Sequence, residues 1–322
     1  LAAGSRIIGS KLGRNAIYIW SDTSLFTMKF VGTPFTFAYE QVGTNCGLIG
    51  KNAAVEVDGA AYWMSDNGFF RYTGRLESMD CLVEDYVYDD LNTTSNELVY
   101  CGINNLFGEI TWFYPTSNSN VVDRAVIYSY LDSTRERPIW STNASSIFPR
   151  TTWEDSAVFG LPHATQYDAD TDTCDTVGNT DGISIYYEHE TGVNYIKGGT
   201  SYAVPASITS GDYDITQKVV RGAASNMADL RGDGESIMRV SRIIPDFVLQ
   251  TGNAIIQLDL RDYPNDAAAS SSLGPFTVTT STSKVDTRAR ARAIALTISN
   301  TAVDSSWKLG TFRLDIQSGG RR

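Results

Sequence analysis

Apolar and polar residues alternate with a period of two along most of this chain, and the helical period is scarce. "NAIYIWSDTSLFTMKF" predicts a hairpin with strands at 15–20 and 24–30 and a turn at Ser21-Asp22-Thr23. "AAVEVDGAAYWMSDNGFFRYTG" predicts three strands, separated by turns at Asp58-Gly59 and Asp66-Asn67-Gly68. "ELVYCGINNLFGEITWFYP" predicts two more, broken at Asn104-Asn105. "RAVIYSYLDSTRERPIWST", "TWEDSAVFGL" and "ISIYYEHETG" extend the series.

Units of three or four short strands therefore recur about every 40 to 50 residues, the spacing of β-propeller blades. They share a grammar of strand, tight turn and aromatic-rich strand, as in Tyr18/Trp20, Tyr62/Trp63 and Trp112/Tyr114. The expected fold class is all-β: a partial propeller-like body over 1–196, a Gly/Ser/Asp-rich connection over 197–235, and a C-terminal β-sandwich-like domain over 236–322. About four blades fit before residue 200, and the chain begins at Leu1, so further strands of a ring are expected from a longer protein. Residues 81–97 break the pattern and predict a short helix inserted between blades, with Leu82, Tyr86 and Leu91 on one side.

Within the C-terminal domain, "RARARAIALTI" puts Arg288, Arg290 and Arg292 at every second position, continued by Ile294, Leu296 and Ile298. A single strand over 286–298 would carry an arginine row running into an aliphatic patch, with an alanine face behind it. The arginines are expected to be polar and paired, and the aliphatics to enter a core or an interface.

Charge sharpens that expectation. The 322-residue chain has a net charge of -11, yet residues 284–322 hold eight Lys/Arg against three Asp/Glu, and residues 77–90 hold six acids and no base. Acidic and basic surfaces of this kind can meet between neighbouring subunits.

Candidate chemistry is sparse. Only His163 and His189 are available, and no nucleophile elbow, P-loop or dinucleotide motif occurs. The four cysteines lie at 46, 81, 101 and 174 without a C-x-x-C pair and are expected to be reduced and buried. Asp168, Asp170 and Asp172 have calcium-loop spacing, but Thr173 replaces the loop glycine and Asn179 the closing Glu, so a plain acidic loop is the stronger reading. Arg231-Gly232-Asp233 reads as a chance match in a turn-rich stretch. No cofactor is expected, and no apolar run approaches the ~20 residues of a membrane span.

Together "TRARARAIALTIS", "WKLGTFRLDIQSGGRR", the stretch from Ile17 to Arg75 and "EITWFYPTSNSNVVDRAVIYSYLD" resemble the tail nozzle or hub proteins of short-tailed bacteriophages, also called tail tubular protein B or packaged-DNA stabilisation proteins. The resemblance covers most of the chain and is strongest at 15–75 and 284–322. It implies a structural virion protein without enzymatic activity. Six copies would form a ring below the portal and adaptor, carry fibres or spikes, and let DNA pass without sequence recognition. Arg288, Arg290 and Arg292 would then form an ion-pair ladder, within the subunit or at a subunit interface, with contact to DNA phosphate and a plain exposed strand as the alternatives. The alternative is a virion-borne or secreted β-propeller that binds or hydrolyses glycans. Hydrolysis would use carboxylates such as Glu154, Asp155 and those between Asp168 and Asp175. Binding would use Trp20, Trp63, Trp112, Trp140 and Trp153 for stacking on sugars, although tryptophans recurring in strands are more often core.

Overall fold

The computed structural model describes residues 6–143, 148–168, 183–215, 236–263 and 268–320, which are nearly all β. The chain divides into two compact units at Thr191/Gly192.

The first unit is a run of antiparallel meanders. Its first sheet holds Ile7–Leu12, Ile17–Ser21, Ser24–Phe30 and Phe37–Thr44 in chain order. The second holds Ala54–Val57, Ala60–Ser65, Gly68–Tyr72 and Leu76–Met79. The third holds Tyr100–Asn104, Glu109–Tyr114, Arg124–Ser129 and Trp140–Asn143, and the fourth Thr152–Glu154, His163–Asp168 and Ile183–Glu188. The leading strand of each sheet packs against the leading strand of the next. That is the blade arrangement of a propeller, in which consecutive sheets fan out from adjoining inner strands. The hairpin turn at Asp58-Gly59 takes φ of 51° and 88°, which is the primed geometry that a two-residue loop needs, and Glu56 Oε1 accepts from the Gly59 N–H at 2.7 Å.

Aromatic pairs fill the boundaries between sheets. Trp20 meets Trp63 at 5.5 Å between the first and second, Phe69 meets Trp112 at 5.0 Å between the second and third, and Phe113 meets Trp153 at 6.0 Å between the third and fourth. The aromatic strand of the sequence grammar is therefore what sticks one sheet to the next. All six rings are buried, and each hides on the order of 150–250 Å² from water.

Residues 81–97 form a short helix, Glu84–Tyr88, followed by the 3-10 turns of Thr93–Leu98, whose entry is capped by Asn92 accepting from Thr94 N–H at 3.0 Å. Of the three residues placed on one side, Leu82 and Tyr86 are exposed and Leu91 is buried, as is Val87, and Tyr88 anchors the helix by donating to Ser65 O at 2.7 Å.

In the second unit, one four-stranded sheet is ordered Ala206–Thr209, Ala293–Asn300, Ala254–Arg261, Ser271–Val278. A three-stranded sheet is ordered Val285–Ala291, Met238–Ile244, Arg313–Ser318. One apolar core takes Met238, Val240, Ile243, Ala289 and Ala291 from the second of these and Ile256, Leu258, Val278, Ile294, Leu296 and Ile298 from the first. Two small ribbons complete the unit, Asn194–Lys197 with Thr200–Ala203 and Phe247–Thr251 with Ser306–Leu309. The stretch expected as a mere connection, 197–235, is built into this unit where it is described. Ala206–Thr209 pairs with Thr297–Asn300, and Tyr213 bridges Ile294.

The strand expected over 286–298 is two strands in two sheets. The chain bends at Arg292, whose N–H donates to Arg261 O at 3.0 Å, and Val285–Ala291 and Ala293–Asn300 enter opposite layers. Crossing between layers changes which parity faces inward. Thr287, Ala289 and Ala291 point in before the bend, and Ile294, Leu296 and Ile298 after it. Among the described residues no strand carries an arginine row into an aliphatic patch; the two patterns share a parity in sequence and lie on opposite sides of a corner.

Candidate functional site

The outer face of the three-stranded sheet is its most charged part. The register sets Arg290 directly opposite Arg239, which is in turn opposite Gln317. Arg239, Arg288 and Arg290 are all exposed. Among the described residues no ion pair or hydrogen bond reaches the side chain of any of the three. Arg292, half-buried at the corner, is bonded to its surroundings.

A bulge separates this row from the next, where the sheet does the opposite. Arg242 stands between Asp286 at 3.1 Å and Asp315 at 3.4 Å, and Lys284 closes on Asp286 at 3.0 Å. Lys284 and Arg242 hold the Asp286 carboxyl below its ordinary range. One end of the face is neutralised by alternating charge, while the other sets two guanidiniums against each other across a strand pair, an unfavourable arrangement without an anion. Beside it opens a cleft of about 370 Å³ lined by Ile237, Asp262, Tyr263, Arg290, Ala291 and Arg292.

Of the residues singled out in sequence, Arg288 and Arg290 are thus brought together on one face and Arg292 is set apart at the corner. Arg239, which completes the row, was missed. Its signal in "MRVSRII" is a single cation on a strand, and only the pairing register gives it meaning.

The first unit presents the contrasting surface. Asp80, Asp85 and Asp89 are exposed on or beside the short helix, within the stretch that carries no base. A second cleft of about 490 Å³ is lined by Arg6, Asp22, Lys51, Asp66, Asn96 and Glu97 among others, and burial raises the Asp66 carboxyl above its usual range.

The residues of the glycan reading are dispersed. Trp20, Trp63, Trp112 and Trp153 are buried in sheet boundaries, and Trp140 is half-buried against Phe69 and Tyr128, so sugar stacking has little to use. Asp155 accepts from the Asn105 N–H at 2.7 Å, and adjacent Glu154 is exposed at a strand end. Asp170 and Asp172, and the carboxylates through Asp175, lie outside the described residues, as do the side chain of Asp168 and the Arg-Gly-Asp stretch. Among the described residues no cluster of three or more His, Cys, Asp or Glu could hold a metal ion.

Burial raises the thiols of Cys46, Cys81 and Cys101, that of Cys81 to about 12, which keeps them protonated and unreactive. Cys174 lies outside the described residues. His189 is equally unavailable as a base. It accepts the Arg150 Nε–H at 2.9 Å and lies against Trp153 at 4.4 Å, and burial, aided by Arg150 and His163, lowers its pKa to about 3.

No protein family and no curated protein matches the chain. No helix among the described residues is long and apolar enough to cross a membrane.

Proposed function

We propose that the chain is a structural subunit of a homomeric ring, of the kind that forms the tail nozzle of short-tailed phages, a virion conduit for DNA without catalytic activity. The observation that carries the reading is the row Arg290–Arg239–Gln317, whose arginines form no ion pair among the described residues, beside the self-neutralised row Asp286–Arg242–Asp315. A monomer gains nothing from opposed arginines, whereas a neighbour's carboxylates between them supply charge-assisted hydrogen bonds. The exposed carboxylates Asp85 and Asp89, from the stretch 77–90 that carries no base, are the matching part of a second copy.

A ring also accounts for the many open sheet edges, such as Phe37–Thr44, that a lone molecule would expose. The six-fold order and the contacts to an adaptor and to fibres or spikes follow from the resemblance alone. Electron microscopy of the purified chain tests the reading. Rings with an axial channel support it, and isolated globular particles at every concentration contradict it.

A further inference from the structure

The hairpin of Ser24–Phe30 and Phe37–Thr44 begins inside the core and ends outside it. Leu25 and Phe26 are buried, whereas from Lys29 to Gln41 every residue but Gly32 is exposed. The ribbon has two unlike faces. Phe30 stands opposite Phe37 and Met28 opposite Tyr39, so these four side chains share one face, where the two phenyl rings meet edge-on at 5.9 Å. Lys29 and Glu40, 3.8 Å apart, lie on the other. Phe35 stands in the connecting turn, which is closed by Val31 N–H donating to Thr36 O at 3.1 Å. Phe30 is 74 % exposed, Phe35 76 %, Phe37 47 % and Tyr39 65 %, and the ten residues "FVGTPFTFAY" carry no charge.

Such an arm is costly on a free molecule. A two-stranded ribbon is marginal by itself, and these four aromatics leave roughly 500 Å² of ring surface in water. That is the greater part of the ~800 Å² per partner in a standard stable interface.

The same unit carries a second exposed apolar surface of different shape. Leu106 and Phe107, in the turn between two strands of the third sheet, are exposed, as is Leu131, which packs over Gly108. Asp155 ties that turn to the loop that bears exposed Val158 and Phe159. A self-complementary dimer needs one patch that fits itself, whereas a head-to-tail contact needs two different patches on each chain, and repeated by rotation it closes a ring. The net charge of -11 also disfavours association of like copies through most of the surface, which an uncharged arm avoids.

We infer that the arm around Phe30, Phe35 and Phe37 seats on the Leu106/Phe107/Leu131/Val158/Phe159 surface of a second copy, in a head-to-tail contact. This rests on the ring reading and names an apolar contact separate from the arginine row.

The test compares the wild-type chain with the Phe35→Asp and Phe30→Ser/Phe37→Ser variants by analytical ultracentrifugation, with circular dichroism to establish that each is folded. A photocrosslinking amino acid at position 35 maps the seat. Expected are a wild-type oligomer, folded variants at least tenfold weaker in association, and crosslinks to 106–107, 131 or 158–159 of another chain. Wild-type and variant oligomers of equal strength would overturn the arm and leave the ring reading standing. A wild-type monomer would overturn both. Crosslinks from position 35 to position 35 would replace the head-to-tail contact by a symmetric one. Arm-dependent binding of phosphatidylcholine vesicles without self-association would assign the arm to a lipid surface instead.

Discussion

Trp112 in the third sheet donates its indole N–H to the carbonyl oxygen of Ala53, which leads into the second sheet, at 3.0 Å. Trp153 repeats the relation one sheet on, donating to Ile103 O at 2.6 Å. Each ring is buried at a sheet boundary and satisfies its only polar atom with backbone from the neighbouring sheet. Trp112→Phe should keep most of the apolar contact and lose this one hydrogen bond, while the Ala53 carbonyl keeps the Met64 N–H at 3.2 Å, costing about 0.5–1.5 kcal/mol. Trp112→Ala should cost about 3–5 kcal/mol. Denaturant unfolding gives both values, and hydrogen exchange should place the loss in the first unit, residues 6–143, 148–168 and 183–191.

The corner at Arg292 separates two neighbouring residues by consequence. Leu296, buried in the second unit's core, should cost about 2–5 kcal/mol on replacement by Ala. Exposed Arg290 should change stability by no more than about 0.5 kcal/mol when made Ala. Equal losses in melting temperature for the two variants would refute the assignment of faces.

His189 sets a pH dependence. Its folded pKa of about 3 lies below the ordinary histidine value, chiefly through burial and then through Arg150 and His163. Between that value and the unfolded one the unfolded chain binds a proton that the folded chain does not, so stability falls as pH drops. The contribution is complete above about pH 6.5 and is lost progressively down to about pH 3. His189→Gln should flatten this slope in the difference between wild-type and variant melting curves from pH 7 to 4. An unchanged slope would show that His189 is not held neutral.

Much of the blade pattern was legible because period-two alternation and turn residues act locally. Asp58-Gly59 and Asn104-Asn105 end strands through their own backbone preferences, wherever the rest of the chain lies. The misreadings arose where the decisive partner is distant in sequence. Nothing in "RARARAIALTI" marks Arg292 as a corner, since the bend is set by Arg261 and by the need of Ala293–Asn300 to pair with Ala254–Arg261. Helical spacing put Leu82, Tyr86 and Leu91 on one side, but which of them is buried depends on the distant anchor of Tyr88 on Ser65, with Leu91 and Val87 inside and Leu82 and Tyr86 outside. At the candidate surface, the arginine spacing showed a basic row, while the opposition of Arg239 and Arg290 exists only in the register between strands some fifty residues apart.

On the proposed function, this face joins copies of the chain through a neighbour's carboxylates. The most direct measurement is the sedimentation mass of the chain from 50 mM to 1 M salt, for wild type and for Arg239→Glu/Arg290→Glu. Expected are one closed oligomer at low salt that weakens as salt screens the contacts, and a charge-reversed chain that folds normally and associates at least tenfold more weakly. A charge-reversed chain with the same mass as wild type at every salt concentration would contradict it.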